Sequence, residues 1–135
     1  MEFSGALEDR IAIRELIDTY NSAVIHKDTQ RWRSTWADRS SWLLMGNEVS
    51  GIDNIVTTWE AAMKQFSFVS FMGTPGSHKL GDQQGTGTVH VAETLVNLDK
   101  QQRNIFGLYN DEYVKNKHGK WQFARRDYQI LYEYS

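Results

Sequence analysis

Glu93 stands where an alternating pattern calls for an apolar side chain. From Gly87 to Leu95 the odd positions read Gly87, Val89, Val91, Glu93 and Leu95, and the even ones Thr88, His90, Ala92 and Thr94. A period of two sends each set to its own face of a strand. An ionised carboxylate on the apolar face is costly unless it is paired, hydrogen-bonded or able to take up a proton. Glu93 is therefore either an acid–base group whose pKa rises in a water-poor site, or half of an ion pair with Arg125 or Arg126.

Five further positions offer chemistry. Tyr20 falls on the apolar side of the first helical stretch, where its phenol either donates to a substrate oxygen or is satisfied inside a core. Tyr109, Asp111 and Tyr113 share one strand face, and form either the polar end of a pocket or a packed network. Arg126 shares a face with Tyr128 and either holds an anionic group, neutralises Glu93 or serves a structural pair. The four histidines, His26, His78, His90 and His118, have no metal-ligand spacing, so no metal site is expected. Gly73, Gly76 and Gly81 are not followed by a helix start and do not read as a phosphate cradle.

These residues need a scaffold, and the chain divides in two. Ile13, Leu16, Ile17, Tyr20 and Val24 keep helical spacing, with Arg14, Glu15, Asp18 and Asn21 opposite, which predicts a first helix over Leu7 to Lys27. Asp28 can cap a short second helix through Arg33 and Trp36. Asp38 to Ser41 break the pattern, Ser41 to Met45 reads as a strand, and Gly46, Asn47 and Gly51 mark turns. Ile55, Val56, Trp59, Met63 and Phe66 predict a third helix. Strands then follow at Phe68 to Met72 and onward, Thr86 to Asn97, Asn104 to Val114 and Trp121 to Tyr132, with breaks at 73–76, 81–85, 99–103 and 116–119. Such short connections favour antiparallel pairing. The expected class is α+β, a curved, mainly antiparallel sheet closing on helices.

Composition narrows the function. The 135 residues suit one domain over 1–135, and the net charge of −2 with scattered Lys and Arg offers no field for nucleic acid. Without cysteine there is no disulfide, thiolate or Cys-based metal chemistry. No signal-like core opens the chain and no eighteen-residue apolar run crosses a membrane, so a cytoplasmic protein is expected. Five Trp, six Tyr and six Phe favour an aromatic-lined cavity or an oligomer interface.

Several motifs in order resemble one superfamily. Ile13-Arg14-Glu15-Leu16 leads to Tyr20, Asp28 precedes Trp32 and Trp36, and Gly51-Ile52 opens the third helix. Gly87 through Glu93, Gly107-Leu108-Tyr109 with Asp111 and Tyr113, and Gly119-Lys120-Trp121-Gln122-Phe123 follow. Over nearly its whole length the chain resembles the SnoaL-like branch of the nuclear-transport-factor-2-like, or ketosteroid-isomerase-like, proteins. That resemblance implies a cone-shaped sheet wrapped around N-terminal helices, a pocket for a small hydrophobic or aromatic molecule, and association into a dimer or trimer. It covers lyases, isomerases and noncatalytic proteins alike.

Within the superfamily, the scytalone-dehydratase and bile-acid 7-alpha-dehydratase group implies roles for single residues. Tyr20 matches that group's helix tyrosine, and Glu93 falls where the bile-acid enzyme carries an aspartate. Ile25 stands at the helix aspartate, and Ser70, or Phe71 if the register shifts, at the strand histidine, so the usual Asp-His dyad is lacking. The resemblance thus implies Glu93 and Tyr20 as catalytic residues, with Tyr109, Asp111, Ser70, Ile25 and Arg126 around the substrate. No cofactor is implied, since positioning and a tuned acid can supply acid–base catalysis. The alternative is a noncatalytic module for ligand binding or oligomerisation.

Overall fold

The structure, a computed structural model, describes residues 2–135. The elements are β1 (Phe3–Ser4), α1 (Leu7–Ile25), α2 (Thr29–Ser34), β2 (Trp36–Leu44), β3 (Asn47–Ser50), α3 (Ile52–Met63), β4 (Phe66–Leu80), β5 (Gln84–Asn97), β6 (Gln102–Lys115) and β7 (Trp121–Tyr134). One seven-stranded sheet runs in the order β1-β4-β5-β6-β7-β2-β3. Its pairings are antiparallel except β1 with β4 and β2 with β7. The expected α+β architecture is present, a curved open sheet with the helices against its concave face.

The apolar stripe of α1 explains its place. Ile13, Leu16, Ile17, Tyr20 and Val24 are all buried, and α1 packs chiefly on β4. The helix stops at Ile25, two residues early, because Lys27 turns to a left-handed φ of 50°. Asp28 then caps α2 by accepting from the Arg31 amide at 3.2 Å. The second helix ends at Ser34 and not at Trp36, because Trp36 is already the first residue of β2. Positions 38–41, read as a break, lie inside that strand, with the pairing shifted between Trp36 and Ser41.

The 73–76 segment was also expected to interrupt the sheet, yet β4 runs through it. Pro75 has no amide to donate, and the ladder accommodates it by shifting register between Pro75 and Ser77. Asn21, expected on the polar face of α1, is buried instead. Its side-chain amide donates to the Gly73 carbonyl and its oxygen accepts from the Gly73 amide, both at 3.0 Å. A Cβ at Gly73 would stand 2.8 Å from Val89 Cγ1 and 3.2 Å from Asn21 Oδ1. Glycine there is what lets helix and strand approach this closely.

The core between helices and sheet is aromatic. Trp32 stacks on Trp59 with centroids 4.4 Å apart and planes 8° apart, Tyr20, Trp36 and Trp42 pack around Trp32, and Phe71 and Phe123 pack against Tyr20. Among the described residues no helix is long and apolar enough to cross a membrane.

Candidate functional site

Alternation carries Glu93 to the concave face of β5, where Phe71 of β4 and Ile105 of β6 flank it in register. A cavity of about 270 Å³ opens there. Its walls include Tyr20 and Val24 of α1, Trp42 of β2, Trp59 and Met63 of α3, and Phe71, Glu93, Tyr109 and Tyr128 of the sheet. Met45 reaches it from the β2–β3 turn, where Met45 and Gly46 have φ of 49° and 88°. Positive φ at both central residues suits a tight hairpin.

Glu93 is not ion-paired with Arg125 or Arg126. Its Oε1 accepts a 2.8 Å hydrogen bond from the Tyr128 hydroxyl. Arg125 goes to Glu48 and Glu112, and Arg126 to Asp111. Burial raises the Glu93 carboxyl above the ordinary carboxylate range, with the Tyr128 hydrogen bond and the Arg103 charge pulling the other way. Burial, then the Glu93 charge, raises the Tyr128 phenol, so it stays a donor.

The Tyr128–Glu93 bond spans a strand, since β6 lies between β5 and β7. Gly107 is the reason it can form. A Cβ at Gly107 would sit 2.5 Å from the Tyr128 hydroxyl, so only a glycine leaves room for the phenol to cross β6 towards Glu93.

Tyr20 and Tyr109 line the same cavity, and Trp42 donates its indole N–H to the Tyr109 hydroxyl at 2.9 Å. Burial raises both phenols, which remain protonated donors. The Trp32 indole lies close enough to influence Tyr20, yet its N–H completes no hydrogen bond.

Asp111 and Arg126 are brought together away from the cavity walls. The guanidinium donates to both carboxylate oxygens, at 2.8 and 3.0 Å. It also lies over Tyr109 at 3.8 Å, Phe123 at 3.9 Å and Tyr20 at 4.5 Å. Desolvation is the largest single influence on the Arg126 charge and opposes it, but the Asp111 carboxylate and the neighbouring phenols together outweigh it and the group stays protonated. Burial raises Asp111, opposed by Arg126. The pair braces the cavity from behind the tyrosine rings, and neither group is among the residues that line it.

Ser70 and Ile25 also stand apart. Ser70 points to the outer face of β4, and Phe71 takes the inward position in the cavity wall. Ile25 ends α1 with 41% of its surface exposed, while Val24 is the neighbour that lines the cavity. Among the described residues Glu93 is the one carboxylate on the cavity wall, and no three His, Asp or Glu side chains gather as metal ligands.

Two wall residues escaped the sequence reading. Arg103 was placed in a turn, but β6 begins at Gln102, so Arg103 shares the inward parity of Ile105, Gly107 and Tyr109. Extending the strand pattern two residues would have found it. Tyr128 was noted only as a neighbour of Arg126. Its reach to Glu93 depends on the gap at Gly107, which no local pattern signals.

A family model described as "SnoaL-like domain" matches residues 5–127. Among solved structures, a hexachlorocyclohexane dehydrochlorinase, LinA-type3 from Novosphingobium barchaimii, is 20% identical with a TM-score of 0.82, over 95% of this chain and 90% of that one. A candidate scytalone dehydratase from Novosphingobium aromaticivorans is 16% identical with a TM-score of 0.84, over 95% and 87%. The Kfla4162 protein from Kribbella flavida is 18% identical with a TM-score of 0.87, over 97% and 96%. At such identities the likeness is one of fold. No curated protein matches the chain significantly.

Proposed function

The chain belongs to the SnoaL-like domain family, and on that premise we propose that its cavity binds a small hydrophobic or aromatic molecule and moves a proton on it, as a lyase or isomerase without a cofactor. The observation that carries this reading is Glu93, a carboxyl raised by burial, held by a phenol and free of any cationic partner within ion-pair distance. Tyr128 occupies Oε1, which leaves Oε2 to meet a ligand. In the forward step Oε2 takes a proton from carbon next to a ligand carbonyl. The C–H electron pair moves into an enolate, and the Tyr20 phenol hydrogen-bonds the oxygen that gains charge. Returning the proton to another carbon, or expelling a leaving group, completes isomerisation or elimination.

Aromatic walls suit an apolar ring body, and about 270 Å³ lies at the small end of ligand cavities. Proteins of the same fold include a hexachlorocyclohexane dehydrochlorinase and a candidate scytalone dehydratase, names that denote eliminations. The reading further has copies of the chain associate, as dimer or trimer, through the outer face of the sheet. Phe68, Met72, Phe106, Tyr132 and Tyr134 are exposed there.

The test is solvent deuterium exchange into a panel of small cyclic ketones, followed by NMR. Glu93→Gln keeps the shape and an acceptor for Tyr128 but cannot carry the proton. Exchange should fall by about 10²–10⁴ while ligand affinity is retained. A Glu93→Gln protein exchanging at the wild-type rate would sink the mechanism. A second reading, binding without turnover, is favoured by the positions of Ile25 and Phe71, which supply no second base to the wall. Wild-type protein that binds these ketones without accelerating exchange would support it.

A further inference from the structure

Arg103 lies on the cavity wall and donates two hydrogen bonds to Glu133, from Nε and Nη2, each at 2.9 Å. A guanidinium has five N–H groups, so three remain, both of those on Nη1 included. The ion pair stands open to water. Arg103 is 44% and Glu133 39% exposed, so solvent screens their attraction and can reach the guanidinium. The cation is also felt inside, where its charge acts on Glu93. Arg126, the other cation beside the aromatic wall, is closed off by Asp111 and three rings. Arg103 is thus the wall group with free donors for an anion.

We propose that Arg103 recognises an anionic oxygen group of the ligand, so that the cavity takes a small apolar acid with its ring among the aromatic walls and its carboxylate at Arg103. This rests on the cavity being a ligand site. Glu133 is the group the ligand joins or displaces, and a charge-assisted, two-pronged contact replaces a similar one at little net loss. The arrangement also fixes orientation, because an anion avoids an ionised Glu93 and is drawn to the guanidinium.

The test titrates the full chain calorimetrically at neutral pH with 2-naphthoate and with 2-naphthamide, which share a ring body and differ in charge. Naphthoate should bind about tenfold more tightly. Arg103→Gln should abolish that preference, the loss falling chiefly on naphthoate. Glu133→Gln, which releases the occupied donors, should tighten naphthoate alone. Equal binding of the two compounds by the wild type, or weaker naphthoate binding by Glu133→Gln, would overturn the assignment of Arg103 and leave the cavity reading standing. Binding of neither compound would overturn both.

Discussion

Glu93 holds its proton more tightly than a surface carboxylate because burial penalises its charge more than Tyr128 and Arg103 favour it. The sign of the consequence follows from linkage. Unfolded, the group titrates near 4.5, and folded it titrates higher. Between those values the native state carries a proton that the unfolded chain has lost, so stability falls as pH rises through the window. Glu93→Gln removes the charge and keeps an oxygen for Tyr128. It should melt a few degrees above wild type at pH 7, and the difference should close below pH 4.5, measured by circular dichroism. A gap that stays constant with pH would contradict the buried-charge account. That Glu93 sat on an apolar face was legible in the sequence, since alternation is local. Its partner was not, because Tyr128 reaches it from two strands away, over the gap left by Gly107.

At the scale of elements, α1 is pinned to β4 by Asn21, whose two hydrogen bonds to Gly73 satisfy backbone groups where the helix lies closest to the strand. Asn21→Ala leaves that amide and carbonyl buried without partners, at a cost of about 1–3 kcal/mol, to be read from the urea midpoint. A variant as stable as wild type would show that water replaces both bonds. The same contact explains why Asn21 was misplaced. Its side chain is polar and its helical neighbours are charged, so local spacing assigned it to solvent, and only the approach of Gly73 brings it inside. Helices and late strands were legible because their apolar periods are long. The ends of α2 and the course of β4 were not, since Trp36 and Pro75 obey strand pairings made with distant segments. Asp111 and Arg126 likewise shared a plausible site by alternation, but their bidentate bond lies behind the rings of Tyr20, Tyr109 and Phe123 and outside the cavity wall.

For the whole molecule, the outer face of the sheet departs from what a solvated face should carry. Antiparallel sheets with one wet side alternate apolar inside with polar outside. Here Met72, Ala92, Phe106 and Tyr132 stand side by side across four strands in register. Met72 is 57%, Phe106 46% and Tyr132 61% exposed. Tyr134 packs 5.9 Å from Phe106 and 6.0 Å from Tyr132, extending the row into a patch. Contiguous apolar surface of this kind is characteristic of interfaces, whereas single exposed hydrophobics are ordinary. A stable interface between copies buries about 1,200 Å² or more in total, with apolar side chains at its centre. In the association proposed above Phe106 and Tyr132 would fall near that centre, so charge at both should oppose self-association without touching the cavity on the other face. Sedimentation velocity should show wild type as a dimer or trimer at micromolar concentration, and Phe106→Glu with Tyr132→Glu as a folded monomer. Wild type sedimenting as a monomer throughout would remove the second copy as the occupant of this face. An oligomer unchanged by the double substitution would move the interface elsewhere.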